Sequence, residues 1–379
     1  MKVVLAIDSF KGSLSCTEAA AAAALGIKDI YPDATTVICP VADGGEGTVE
    51  AMVAACGGSY AEVDVSDPLG RTVNAVYGLL PGGSAVIEMS AAAGITLVSD
   101  AERDPMMTDT YGVGELILTA ARSGVRDFII GIGGSATNDG GVGTLRALGY
   151  RFLDREGRDI PRGGAGLARL AEIDTRGVDK LIPECRFFVA SDVKNPLCGP
   201  NGATYVYGPQ KGAIEVTKPL LDGYLAKFAA LTKKIIPTAD ADMPGAGAAG
   251  GLGFALVNYL GATLSSGVEL IIERVGLREK ICDADIVITG EGRMDAQSAM
   301  GKLPVGVAAV AKSLGKPVIA LAGSALAGSE ELHEHGIDAI FPILRSPSTL
   351  AEAMNKENAK ENMRSAAREV FSLIKALHR

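Results

Sequence analysis

The chain has 379 residues, 47% of them hydrophobic and 21% charged, which is a globular composition too long for one core, so two domains are expected. Its net charge of −9, with a sequence pI near 5.1 and no basic stripe, argues against nucleic acid as a partner. No apolar run reaches membrane-spanning length, residues 3–7 fall far short of a signal-peptide core, and six scattered cysteines lack paired spacing, so a cytoplasmic protein with reduced thiols and no membrane partner is expected.

Residues 3–7 read as a strand, 17–30 as an alanine-rich helix, 35–40 as a second strand and 48–55 as a second helix, an alternation that predicts a parallel α/β sheet. Period-two segments at 60–65, 73–80 and 85–89, broken by Asp67-Pro-Leu-Gly70 and Pro81-Gly-Gly-Ser84, predict an antiparallel meander. Helices are expected at 111–123, 141–148 and 215–233, with strands at 127–132, 186–190 and 204–207. From about 264 the alternation returns, with strands 285–289, 317–321 and 338–342, helices 305–314 and 329–335, and a charged amphipathic helix over 349–377. The expected fold is therefore α/β with two domains. A Rossmann-like parallel-sheet outer domain, 1–60 plus 262–379, is interrupted by an inserted mixed α/β domain, 61–261.

The loops carry the chemistry. The chain holds 48 glycines, far above the usual share of roughly 7%. They gather in DSFKGS (8–13), ADGGEGT (42–48), IGIGGSATNDGGVG (130–143), GPQKGA (208–213), PGAGAAGGLG (244–253) and TGEGRMDAQSAMGK (289–302). A glycine-rich loop after a strand exposes backbone N–H groups, the usual grip on a phosphate or carboxylate. Ionisable side chains stand in these same loops, so they read as parts of one anion-handling site.

Histidine contributes little. His333 and His335 are two apart in an expected helix and cannot share a face as metal ligands, and His378 is at the chain end. Proton transfer therefore falls to carboxylates or lysines. The loop acids are Asp8, Asp43, Glu46, Asp139, Asp192, Glu291 and Asp295. Oxygen ligands on flexible loops suit Mg²⁺ held partly by substrate phosphates. Each could instead cap a helix. Lys11, Lys211 and Lys302 each adjoin a glycine and could bring an ammonium to an anion, against the ordinary reading of a solvated lysine.

Two dinucleotide fingerprints compete. Gly245 to Gly250 fits G-x-G-x-x-G, but no strand precedes it. Gly131 to Ala136 follows an expected strand, with Asp154 at the spacing of a ribose acid, and supports an alternative reading as an NAD-dependent oxidoreductase of a small hydroxy acid. A non-catalytic sensor of a carboxylate or nucleotide is a third reading, which needs fewer acids and lysines than the chain supplies. No Walker A motif exists, since Ala296 stands where its first glycine belongs before Gly301 and Lys302.

Taken in order, DSFKGSLS, VADGGEGT, TYGVGEL, IGGSATNDGG, GPQKGA, PGAGAAGGLG and TGEGRMDAQSAMGKLPVGVA resemble the bacterial glycerate kinase type-1 family over essentially the whole chain. Ile7 stands where that family is expected to carry proline. The resemblance implies a kinase that phosphorylates D-glycerate with ATP and Mg²⁺, with 2-phosphoglycerate the favoured product. Physical inference then distributes the roles. Asp192, Lys11 and Asp43 are the catalytic candidates. Asp8, Ser9, Lys11, Gly133, Gly134, Ser135, Asn138, Asp139, Lys211 and Lys302 are candidates for substrate or phosphate, and Glu291 and Asp295 for the metal.

Overall fold

A computed structural model describes residues 1–296, 298–300 and 302–377. The readings that involve Gly301 and His378 lie outside the described residues. The chain forms two compact units, one comprising Met1–Asp43, Glu50–Gly57 and Val268–Arg379, the other Gly44–Val49 and Gly58–Gly267.

The first unit is built on a five-stranded, wholly parallel sheet in the order Ala339–Pro342, Val318–Ala325, Ile286–Met294, Lys2–Ile7, Thr35–Ile38. Val3 to Ile7 are fully buried, as expected for a central strand covered on both faces. Helix Cys16–Ile30 starts at a Ser15/Glu18 capping box and lies against the long helix Lys356–Leu377. Its alanines and Gly26 permit this approach, since a Cβ on Gly26 would meet the Arg364 carbonyl oxygen at 2.1 Å.

The second unit holds a six-stranded mixed sheet, Thr263–Ser265, Arg186–Ala190, Asp127–Gly131, Ser84–Glu88, Thr72–Leu80, Ser59–Ser66. The last three strands are the expected antiparallel meander and the others run parallel. The expected α/β class is thus the observed one.

Four local expectations fail. Residues 204–207 belong to a helix, Ala203–Tyr207, where the β-favouring Thr-Tyr-Val-Tyr run is overridden by packing: the Thr204 hydroxyl is buried and accepts a hydrogen bond from Asn138. The helix expected from 215 begins at Lys218, with Pro219 in its first turn. The expected helix over 349–377 breaks at Asn355 into Leu350–Met354 and Lys356–Leu377. Finally, the strand expected to end at 289 continues to Met294, because glycines 290, 292 and 323 give it room beside Val318–Ala325.

Candidate active site

Register determines which acids meet. Ile7 pairs with Gly290, and the Asp8 N–H donates to the Gly290 carbonyl at 2.9 Å, so Asp8, just past its strand, stands beside Glu291 of the neighbouring strand toward the carboxyl edge of the first sheet. The next residues turn tightly, Phe10 donating to the Leu14 carbonyl, with Gly12 at φ +77°, where a side chain would be strained and would strike Met354. A cavity of about 440 Å³ opens at this edge. Asp8, Ser9, Lys11, Asp43, Glu291, Arg293 and Lys302 are its polar lining, and Leu344, Leu350 and Met354 are among its apolar lining.

The polar lining concentrates charge, with Asp8, Asp43 and Glu291 set among Lys11, Arg293 and Lys302. Burial pushes the Asp8 carboxyl up to about 7, and the negative charges of Asp43 and Glu291 add to the shift. Burial likewise raises Glu291, partly offset by Ser298 and Lys302. Lys302 Nζ lies 3.6 Å from Glu291 Oε2, and Lys11 Nζ 3.8 Å from Asp43 Oδ2. Glu291 Oε1 is buried with no hydrogen-bond partner among the described residues. An unpartnered carboxylate oxygen beside mutually repelling acids suits a divalent cation. Among the described residues no three histidines, cysteines, aspartates or glutamates converge on a metal-sized point, so the protein could supply one or two carboxylates and bound phosphates the rest.

Asp295, expected beside Glu291 as a metal ligand, is placed differently. It follows the strand end, pairs with Arg293 at 2.9 Å, and does not line the cavity.

In the second unit the loop after strand Asp127–Gly131 turns most of its polar groups inward. Gly133 and Gly134 are exposed, and Ser135 bridges to Gly94. Asp139 is fully buried, accepting from Thr110 N and Oγ1 and from the N–H groups of Gly141 and Gly143. Its carboxyl is raised by burial and then by Asp109. Asn138 donates to Thr204, while its Oδ1 and Thr137 Oγ1 are buried without hydrogen-bond partners among the described residues. Lys211 is also buried, and its ammonium donates to Ser135 Oγ and the Thr137 carbonyl, both at 2.7 Å. Burial pulls it down to about 7, against the opposing pull of Asp139. Neither Asp139 nor Lys211 presents its charge to solvent, as a direct ligand group would. Both hold the loop from behind.

Glycines 44 and 131 make this possible. A Cβ on Gly131 would meet the Gly44 carbonyl oxygen at 2.4 Å, so the ADGGEGT motif backs the loop with bare main chain. The PGAGAAGGLG motif is similarly structural: Gly250 accepts from the Gly140 N–H, and a side chain there would meet the Thr137 carbonyl oxygen at 2.1 Å. Asp192 is exposed and its Oδ1 accepts from Ser266 Oγ and the Gly267 N–H, at the start of helix Gly267–Arg274.

The dinucleotide reading loses its geometry. The helix after Gly131 to Ala136 begins only at Val142, and the Asp154 carboxylate closes a turn on the N–H groups of Glu156 and Arg158. Sequence reasoning missed Ser13, whose buried Oγ lacks a partner among the described residues, and the three cavity residues Leu344, Leu350 and Met354. The last three carry no polar signature and come from chain far from every glycine motif.

Parallel strands that gather acids and lysines around a cavity at one carboxyl edge are the construction of a phosphoryl-handling α/β enzyme. The chain belongs to the glycerate kinase family, whose model matches residues 3–375. It is 50% identical to a glycerate 2-kinase of Escherichia coli over 375 residues, covering 99% of this chain and 98% of that one. It is 48% identical to a glycerate kinase of Bacillus subtilis over 376 residues, covering 99% and 98%. A crystal structure reported as "putative glycerate kinase 2 from Salmonella typhimurium LT2" matches with TM-score 0.90 at 48% identity, covering 100% of this chain and 99% of that one.

Proposed function

We propose that the protein transfers the γ-phosphoryl group of ATP to the 2-hydroxyl of D-glycerate, giving 2-phosphoglycerate and ADP. Family membership supports a glycerate kinase, and the similarity to a relative named glycerate 2-kinase supports the choice of hydroxyl. The observation that carries the reading is the cavity of the first unit, which joins Asp8, Lys11, Asp43, Glu291 and Lys302 at one sheet edge.

In this reading Lys302 pairs with the transferring phosphates. Glu291 and Asp8 are the carboxylates that would hold Mg²⁺, in place of the pair Glu291 and Asp295. A bound Mg²⁺ would neutralise charge on the phosphate oxygens. Lys11 holds the glycerate carboxylate, and Asp43 beside it orients the glycerate hydroxyl and takes its proton. Asp43 has this role in preference to Asp192 because it shares the cavity with the phosphate-binding groups. The exposed glycines 133 and 134 remain candidates for anion contact through main-chain N–H groups, with Ser135, Asn138, Asp139 and Lys211 as their support. Phosphoryl transfer needs positioned charge more than covalent chemistry, so this inventory suffices without histidine.

A coupled assay of ADP release with and without D-glycerate, followed by phosphorus NMR of the product, tests the reading. Glycerate-dependent turnover yielding 2-phosphoglycerate is expected. Turnover independent of glycerate would refute the kinase, and 3-phosphoglycerate would refute the choice of hydroxyl.

A further inference from the structure

We infer that the apolar lining of the first unit's cavity at Leu344, Leu350 and Met354 is the slot for the adenine ring of ATP and selects the nucleotide. This rests on the proposed binding of phosphates by the charged residues of the same cavity.

Leu350 is 79% exposed, Leu344 38% and Met354 37%. Single exposed apolar side chains are ordinary on a protein surface, but these three line one cavity together with six ionisable groups, Asp8, Lys11, Asp43, Glu291, Arg293 and Lys302. A cavity lined by both apolar and charged side chains matches an amphipathic ligand. Of the two substrates only ATP has that character, since every carbon of glycerate bears oxygen. The volume of about 440 Å³ lies in the range of small-molecule sites, roughly 300–1,000 Å³.

The wall is held in place. Helix Leu350–Met354 starts at a reciprocal capping box, Thr349 with Glu352, and Met354 reaches the backbone at Gly12, so the DSFKGS turn and this short helix close on each other. Gly12 thereby links the polar turn to the apolar wall. A larger residue at 12 would displace the Met354 methyl group, 2.9 Å from the place of its Cβ.

The test compares ATP with inorganic tripolyphosphate, which carries the phosphates and lacks the base, in the full-length enzyme and in Leu350→Asp. An acidic residue in the first turn of a helix is compatible with its dipole, so the variant should fold. The expected result is an ATP KM raised about tenfold or more, with the competitive Ki of tripolyphosphate within about twofold of the parent value. An unchanged ATP KM, with tripolyphosphate still competing, would overturn the slot alone. A parallel rise in KM and Ki would also overturn it, since it would reveal charge repulsion of the phosphates. Failure of tripolyphosphate to compete with ATP in the unaltered enzyme would bring down the phosphate reading and the slot with it.

Discussion

The DSFKGS turn of the first unit and the GGSATNDGG loop of the second are written in the same residues, glycine with a hydroxyl, an acid and a nearby lysine, yet they use them in opposite ways. Around the first, Asp8, Lys11, Glu291 and Lys302 border a cavity, and Asp8 is raised by burial and by the neighbouring charges of Asp43 and Glu291. Around the second, Asp139 and Lys211 point into the protein and are bonded to hydroxyls and main chain. A charge buried in the interior and held by hydrogen bonds makes a brace, whereas acids gathered with lysines along a cavity make a binding site.

Breaking the cavity should cost activity and little stability. Glu291→Gln and Lys302→Ala are each expected to lower kcat/KM by about a hundredfold or more with the melting temperature nearly unchanged. Steady-state kinetics beside thermal melts would read both, and loss of fold in either variant would erase the contrast.

Breaking the brace should do the reverse. Asp139→Asn sets an amide against four donors, and a loss of about 2–4 kcal/mol in denaturant unfolding is expected. Unchanged stability with abolished turnover would return Asp139 to the role of a ligand.

Lys211 sharpens the comparison through pH. Its folded pKa is lowered to about 7 from the ordinary 10.5, so the unfolded chain binds more protons between those values. The charged lysine's full penalty is present below pH 7 and is relieved as pH rises toward 10.5. Wild-type stability should therefore rise relative to Lys211→Met between pH 7 and 9, on the order of 1 kcal/mol per unit. A stability difference independent of pH would place a solvated charge at this position.

The smallest effect is expected at Asp295. Because its carboxylate pairs with Arg293 and does not itself line the cavity, Asp295→Asn should change turnover by less than about threefold. A loss comparable to that of Glu291→Gln would restore it as a metal ligand.

The fold class was legible because buried parallel strands such as residues 3–7 leave continuous apolar runs, and because the 60–90 segments alternate with turn residues between them. The motifs also located the region of the site. Which acid does what was not legible, since Asp8 and Asp139 have similar glycine-rich contexts and differ in what lies behind them. The sequence shows strand Ile286–Met294 only as far as 289 because interior glycines imitate a loop, and only the neighbouring strand explains them. Leu350 and Met354 were missed for a simpler reason: an apolar residue in a charged terminal segment looks like one face of an amphipathic helix.

Calorimetric titration of Lys302→Ala and Lys211→Met with MgADP weighs the two regions against each other most directly. The cavity as the nucleotide site requires Kd to rise about tenfold or more in Lys302→Ala and to stay within about threefold in Lys211→Met. An unchanged Kd in Lys302→Ala, with affinity lost in Lys211→Met, would contradict it and move the nucleotide to the glycine loop of the second unit.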